Sequence, residues 1–195
     1  MAQCRKRNSR VLMSAQANEM NKDDSKYFSH AVTKLLAAEP LLDAICQATE
    51  VPEKFAGLPA GTRAVQLPDG DINHPFLKVF GQPARELACE CERESDSNLA
   101  QALQLINGPT LNDKLRAPNN RVGKLMATKL LDKVKKVTDD KAIVEELYLS
   151  TLSRFPGADD LKVSLDYVAK SKDKRQAWED IHWALINTKE FLFRH

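Results

Sequence analysis

The sequence contains no long apolar run and no excess of one charge. No stretch approaches the roughly 20 apolar residues that a membrane-spanning helix needs, and the apolar run near the start, Val11 to Met13, is too short for a secretory signal. Lys and Arg total 29 against 27 Asp and Glu, and a net charge of +2 gives little long-range attraction for nucleic acid or anionic lipid. Taken as written, the chain is expected to be cytoplasmic and without a membrane span.

Cysteine is also scarce, and the motifs of several enzyme classes are missing. Four cysteines in 195 residues are too few and too unevenly spaced for a disulfide scaffold: Cys4, Cys46, Cys89 and Cys91. The sequence has no Cys-x-x-Cys-His haem attachment motif, no Gly-rich phosphate loop and no nucleophile elbow. We therefore predict no cofactor, and the residues favour a non-enzymatic protein without deciding the question.

The composition is that of a globular protein that folds in water. Hydrophobic residues make up 43% of the chain, charged residues 29%, and the mean hydropathy is -0.44. Residues 1–22 are polar and basic without a clear period, which predicts an arm. Residues 23–195 then form one domain in this interpretation.

Helical spacing dominates the apolar pattern of that domain. Near the N-terminus, Asp23 and Asp24 precede one predicted helix, and Pro40 lies in the first turn of a second. The apolar residues of this short helical pair are Phe28, Val32, Leu35, Leu36, Leu41, Leu42, Ile45 and Cys46. Prolines and glycines then concentrate at 51–83, so we expect a long irregular connection there.

The C-terminal half predicts a helical bundle, which makes the fold class mainly α. Asp96 or Ser97 can cap a helix that carries Leu99, Leu103 and Ile106, and Asn107-Gly108 would supply its left-handed end. Further helices are predicted over 121–136, from Thr138 through Leu152, and over two later amphipathic stretches. Their apolar faces carry Val122, Leu125, Met126, Leu130, Val134, Ile143, Val144, Leu147, Tyr148, Leu161, Leu165, Val168, Trp178, Ile181 and Leu185.

Cys89-Glu90-Cys91 is the most suggestive local motif. Two thiolates one residue apart can reach a soft metal, but zinc sites usually space their ligands two to four residues apart and add a second pair. The remaining candidates, His30, His74, His182 and His195, are scattered. We therefore predict no metal site, and we interpret Cys89 and Cys91 as interior structural cysteines.

Two charged segments raise further alternatives. Acids and arginines interleave between Arg85 and Asp96, where paired carboxylates would suit hydrolysis, but ion pairs and caps explain them better because no nucleophile accompanies them. Residues 111–136 are rich in lysine and arginine, yet an acidic segment follows at 137–160 and can neutralise them, so nucleic-acid binding is not expected. His182 is predicted to lie at the margin of the bundle, neither ligand nor base.

Three stretches carry a family resemblance: HPFLKVFGQPARELACECERESDSNLAQALQLING, VEELYLSTLSRFP and WEDIHWALINTKEFLFRH. They resemble the planctomycete-specific C-terminal domain called PSD-one, or domain of unknown function fifteen fifty-three, and residues 7–55 look like its upstream part. The most recognisable family motif matches here at Arg85, Cys89, Cys91, Glu92, Arg93, Leu99, Gln101, Leu103 and Asn107. The resemblance supplies no established catalytic residue.

The resemblance also implies a context for the chain. Longer relatives are expected to be secreted or located in the cell envelope, with a second domain and often a cytochrome c-like haem domain upstream, so this chain is N-terminally truncated by comparison. Our leading hypothesis is a non-enzymatic helical module that packs against other domains or proteins. The alternative is a fragment or subunit of an extracellular haem-associated oxidoreductase or polysaccharide-processing protein.

Loss of upstream parts would have a structural consequence. We expect apolar surface to be open around Phe28, Leu35, Leu36 and Leu42, and hence self-association or capture of a protein partner. We also expect Leu103 and Leu147 to lie in the helical core.

Overall fold

The computed structural model describes residues 34–59, 61–67, 74–81, 101, 103–105, 108–131 and 140–194. Over these residues the protein is mainly helical, as the periodicity predicted. The helices are α1 (Ala38–Thr49), α2 (Pro75–Val79), α3 (Pro109–Arg116), α4 (Arg121–Leu131), α5 (Asp140–Leu152), α6 (Ala158–Lys170), α7 (Lys174–Ile186) and α8 (Lys189–Leu192). A 3-10 helix spans Ala64–Gln66, and two short strands are β1 (Lys34–Leu35) and β2 (Phe193–Arg194).

Two hydrophobic cores organise these elements. The first core is built from α1, α2, α3, the irregular residues near Phe55 and Leu67, and the C-terminal residues Phe191 and Leu192. The second, the bundle core, is built from α4 to α7 around Val122, Leu147, Val168 and Trp178. Leu152 packs against both cores, so the end of α5 belongs to each of them.

The predicted apolar faces of the bundle are confirmed where the structure describes them. Val122, Val144 and Leu147 are fully buried, and Trp178 is 2% exposed. Leu125, Met126, Leu161 and Leu165 are partly buried against the same core. Spacing of three and four residues thus identified the correct side of each of these helices.

The first predicted helix of the N-terminal pair is wrong at its C-terminal end. Leu35 lies in β1 and pairs with Phe193, while Lys34 pairs with Arg194 in an antiparallel register. The amide of Leu36 also donates a 2.9 Å hydrogen bond to the carbonyl of Leu192. Pairing between the two ends of the described chain overrides the local helical pattern, because the strand needs a partner that periodicity cannot reveal. Phe28 and Val32 lie outside the described residues.

Helix α3 was missed, and the interpretation of Gly108 was wrong. Gly108 has φ −66° and ψ 144° and precedes α3, whose first residue is Pro109. The predicted helix before it is present at the described residues 101 and 103–105, and the amide of Gly108 donates a 2.9 Å hydrogen bond to the carbonyl of Gln104. Gly108 is therefore an extended residue between that helix and α3, and it is not left-handed. A Cβ at this position would lie 2.1 Å from the carbonyl oxygen of Gln104, so close approach of the backbone requires glycine here. Asn107 lies outside the described residues.

Asn120 links α3 to α4 by capping both helices. Its side-chain oxygen accepts a 2.7 Å hydrogen bond from the amide of Gly123 in the first turn of α4. Its amide nitrogen donates to the carbonyls of Lys114 and Leu115 at the end of α3. Asn120 is fully buried, so one side chain satisfies backbone groups of two helix ends that water cannot reach.

The later helices begin at conventional caps. The carboxylate of Asp173 accepts hydrogen bonds from the amides of Arg175 and Gln176 at the start of α7. The hydroxyl of Thr188 accepts one from the amide of Phe191 in α8. Both residue types favour this position because a short polar side chain replaces the missing helical partner of the first amides.

Burial corrects several further predictions. Leu103 is 51% exposed, and its neighbour Leu105, at 6%, packs into the first core instead. Leu42 is fully buried, and Leu35 and Leu36 are partly buried against the first core, so the expected open apolar surface is wrong at these three residues. The large exposed apolar side chains include Phe155, Val163 and Tyr167 in the bundle.

No helix within the described ranges is long and apolar enough to cross a membrane.

Candidate functional site

A cleft of about 480 Å³ with several charged residues in its lining lies beside Cys46, between α1, the segment that follows it and the start of α4. Asp43 and Cys46 face this cleft from α1, where a spacing of three residues places them on one side of the helix, and Glu50 faces it from the left-handed residue that follows α1. Arg63 and Arg121 line it from the opposite segments. Acidic, basic and thiol groups therefore meet in one depression of the surface.

A buried ion pair forms one wall of the cleft. Lys114 is only 5% exposed, and its ammonium lies 3.0 Å from Glu53 Oε2 and donates a 3.0 Å hydrogen bond to the carbonyl of Val51. Burial alone would raise the pKa of Glu53, but the neighbouring His74 ring and the charge of Lys114 outweigh it and lower the pKa to about 2. Glu53 is therefore a carboxylate that holds Lys114 and the segment around Val51 in place.

His74 extends this pair into the protein. Its Nε2 lies 3.8 Å from Glu53 Oε2, and its ring stands 5.8 Å from the ring of Phe55. The other ring nitrogen, Nδ1, is buried without a hydrogen-bond partner. His74 thus packs behind Glu53 and does not reach the opening as a free base.

Cys46 is the side chain in the cleft with the greatest potential for covalent chemistry. Burial raises the pKa of its thiol, and the neighbouring charge of Lys114 offsets this only in part. The thiolate is the reactive form, so a raised pKa leaves Cys46 a poor nucleophile and a poor metal ligand at neutral pH. Among the described residues, no group of three or more His, Cys, Asp or Glu side chains is arranged to hold a metal ion.

Arg121 joins the cleft to the bundle. Its Nε donates a 2.8 Å hydrogen bond to the carbonyl of Ala48, and Nη2 donates a 3.1 Å bond to that of Gln47. The same guanidinium lies 3.0 Å from Glu50 and 2.8 Å from Glu146 on α5. A cation at the C-terminus of α1 satisfies carbonyls that lack helical partners, and it also complements the helix dipole.

The far rim of the cleft is held by Asp43. Its two carboxylate oxygens accept hydrogen bonds of 2.7 and 3.2 Å from the amides of Ala64 and Val65, and Arg63 lies 3.5 Å away. Asp43 therefore fixes the 3-10 helix against α1. Taken with Lys114 and Arg121, the charged groups of the cleft bind segments of this chain to one another.

A second, smaller cleft of about 350 Å³ lies between α3 and α7. Arg116, Arg175 and Asp180 lie along it, with Trp183 among its lining residues. Arg175 is occupied by Glu179 at 2.7 Å and by the carbonyl of Ala117 at 3.1 Å. This cleft too is bordered by contacts that stabilise the fold.

The residues predicted from the sequence fall partly outside the described structure. Arg85, Cys89, Cys91, Glu92, Arg93, Leu99 and Asn107 lie outside the described residues, and so does the charged segment up to Asp96. Of the family motif, Gln101 is buried and donates a 3.2 Å hydrogen bond to the carbonyl of Val79, whereas Leu103 is half exposed. Gln101 thereby fixes the end of α2 and does not face either cleft.

Three basic side chains of the described part of 111–136 pair with acids of the same chain. Lys114 pairs with Glu53, Arg121 with Glu50 and Glu146, and Lys124 lies 2.6 Å from Glu50. The link between Arg121 and Glu146 is the predicted neutralisation of the basic segment by the acidic one. Sequence reasoning missed Lys114–Glu53 because the two residues are far apart in the chain and neither shows a local motif.

His182 lies deeper than predicted. It is fully buried in α7, and neither ring nitrogen has a hydrogen-bond partner. Burial, followed by the nearby charge of Arg121, lowers its pKa to about 4. The prediction of a marginal position was wrong, since the ring is enclosed between the helices as a neutral group.

The comparisons with known proteins identify a family and no activity. No curated protein and no solved structure matches the chain. Residues 6–168 match the model of the PSD1 family, described as proteins of unknown function (DUF1553). The matched range ends inside α6, while α7, α8 and β2 beyond it complete both hydrophobic cores. With most of its length covered by that model, the chain belongs to the PSD1 (DUF1553) family.

Proposed function

We propose that this protein is a non-enzymatic helical module that packs against other domains or proteins. The proposal rests on the different positions of the protein's charged and large apolar side chains. The charged groups of the main cleft are engaged with the chain's own segments, whereas several large apolar side chains point outward from the bundle.

The state of the cleft supports a structural role. A catalytic site needs a group that can accept, donate or attack, and Cys46 is held as a thiol while Lys114 and Glu53 neutralise each other. Arg121 is bound on several sides by carbonyls and carboxylates of the same chain. These groups would have to break internal contacts before they could act on a substrate.

The outer surface of the bundle supports a packing role. Phe155 is 65% exposed, Val163 is 68% exposed and Tyr167 is 46% exposed. Large apolar side chains gathered on one side of a protein commonly mark association surfaces. A module of this kind functions by the surface that it presents and needs no bound cofactor.

Site-specific photo-crosslinking in the source organism tests the proposal. A photoreactive amino acid replaces Val163 in one strain and the exposed Lys54 in a control strain. We expect protein adducts at Val163 and far fewer at Lys54. Absence of protein adducts at Val163 would overturn the proposal. So would an enzymatic activity of the purified protein that Cys46→Ala abolishes while the variant remains folded.

A further inference from the structure

The outward face of α6 is exposed helix surface that carries large apolar side chains. Ser164 and Val168 turn inward and are buried, so the opposite side of α6 faces solvent. Val163 and Tyr167 stand one turn apart on that solvent-facing side, and the hydroxyl of Tyr167 donates a 2.7 Å hydrogen bond to Asp180, so Tyr167 lies at the edge next to α7. Phe155 is exposed just before the helix begins.

Charges of opposite sign frame these apolar side chains. Asp159 lies in the first turn of α6 and Lys170 in the last, and both are exposed. Steps of four, three and four residues connect Asp159, Val163, Asp166 and Lys170, so they form a row almost parallel to the helix axis. At about 1.5 Å per residue, the two end charges are roughly 16 Å apart.

The two end charges of this row are complementary to those of its own reversed copy. When two α6 helices lie antiparallel, the acidic end of each faces the basic end of the other. In this register Val163 lies near the centre of the contact, opposite Asp166 of the second copy and close to its Val163 and Tyr167. A two-fold axis produces this arrangement automatically, because a two-fold contact places one surface against itself.

We propose that α6 is the contact through which two copies of this chain associate, antiparallel about a two-fold axis, with Asp159 of each copy against Lys170 of the other. This inference rests on the proposed packing function and names its partner. The apolar centre of the contact is small, so the dimer is weak and forms at high local concentration. The charges set its direction and the apolar side chains exclude water from the middle.

Sedimentation velocity on the purified full chain tests the association. The sedimentation coefficient should rise between about 5 µM and about 500 µM protein as monomer converts to dimer. Val163→Asp should abolish the rise while leaving the melting temperature unchanged, since the side chain is 68% exposed. A strictly monomeric protein across the whole range would overturn the proposal.

Charge reversal tests the orientation. Asp159→Lys and Lys170→Asp should each weaken dimerisation about tenfold, because each places like charges opposite one another. The double variant should recover to within about twofold of the parent. A mixture of the two single variants should form a heterodimer of about the parental affinity, because both of its contacts then join opposite charges. Lys78→Asp, on the exposed side of α2, is the matched control and should have no effect.

Equal affinity in the single and double variants would also overturn the proposed orientation. The result of this dimerisation test can be distinguished from the result of the crosslinking test of the packing function. Adducts of Val163 with a different protein, together with a monomeric purified chain, would retain the packing function and reject the second copy as its partner.

Discussion

The two hydrophobic cores are assembled from different kinds of segment. The bundle core comes from helices that follow one another along the chain, from α4 to α7. The first core brings together α1, the irregular stretch, α2, α3 and the C-terminal end, so its parts are distant in sequence. Its perimeter consequently needs side chains that tie segments together, such as Lys114, Arg121 and Asp43, whereas the bundle relies on apolar helix faces.

The unfolding of each core can be monitored by the fluorescence of one of the two tryptophans of the chain. Trp178 is buried in the bundle core, and Trp183 packs against the first core. A Trp183→Phe background leaves fluorescence that reports on the bundle, and Trp178→Phe leaves fluorescence that reports on the first core. Both lie on α7, which also gives each core part of its apolar contacts.

The largest effect is expected from Leu147→Asp in the bundle core. Leu147 is fully buried, and an unpaired carboxylate there must lose its hydration, which costs several kcal/mol of a total stability of only about 5–15 kcal/mol. We expect loss of cooperative melting by circular dichroism, with both tryptophans becoming exposed because α5 and α7 serve both cores.

The control is Leu103→Asp, whose side chain is 51% exposed, and it should change stability by no more than about 0.5 kcal/mol. Equal damage from both variants would contradict the burial assigned to these leucines. A Trp183 signal that stays native in Leu147→Asp would show that the first core folds alone.

Arg121→Ala should produce the next largest effect, at the junction of the two cores. It removes hydrogen bonds to the carbonyls of Ala48 and Gln47 and the ion pair with Glu146, and it leaves Lys124 as the remaining ion-pair partner of Glu50, at a cost of about 3 kcal/mol. Urea unfolding followed separately at each tryptophan should show the two transitions moving apart.

Arg121→Lys should restore less than half of that loss, because an ammonium cannot reproduce the planar fork. Lys124→Ala is the control for charge alone and should cost less than about 1 kcal/mol, since this pair is exposed. If the urea unfolding transitions of the two tryptophans coincide in Arg121→Ala, Arg121 does not couple the two cores.

Acid should affect the two cores in different pH ranges. The pKa of His182 is lowered to about 4, so its neutral form stabilises the fold above the ordinary value near 6.5. That stability, roughly 3 kcal/mol, is lost as the pH falls from about 6.5 towards 4. The pKa of Glu53 is lowered to about 2, so its contribution to the first core is present above about 4.5 and is lost only between about 4.5 and 2.

Unfolding free energies measured by urea titration at a series of pH values check these ranges. His182→Leu should remove the dependence between pH 6.5 and 4 while leaving that below 4.5, and Glu53→Gln should do the reverse. A pH profile that His182→Leu does not change would contradict an enclosed neutral imidazole.

The smallest effects are expected at the helix caps. They should be larger for Asn120, which lies between α3 and α4, than for Asp173 at the start of α7. Asn120→Ala loses hydrogen bonds at two helix ends in a buried position and should cost about 2 kcal/mol. Asp173→Ala removes one exposed cap and should cost about 1 kcal/mol. Thermal melts of the two variants provide the measurement, and a larger loss in Asp173→Ala would contradict the double capping by Asn120.

The difference between the two cores also explains which sequence predictions succeeded. Helices α1 and α5 to α7 were predicted with their buried faces, because apolar spacing and a polar residue or proline at the start are local signals. Helix α3 left a local signal in Pro109 that was missed. The candidate site was not predicted from the sequence. Cys89 and Cys91 lie outside the described residues, and no local motif indicated the cleft at Cys46.

The sequence by itself determined the mainly α class, the apolar faces of the bundle and the family, because these depend on short-range spacing and on motifs. Only the tertiary structure decided that Leu35 is a strand residue, that Leu103 is exposed, that His182 is enclosed and that Lys114 meets Glu53. Each of these depends on a partner distant in the chain. Burial and ion pairing are properties of the assembled neighbours, which the local pattern of residues does not contain.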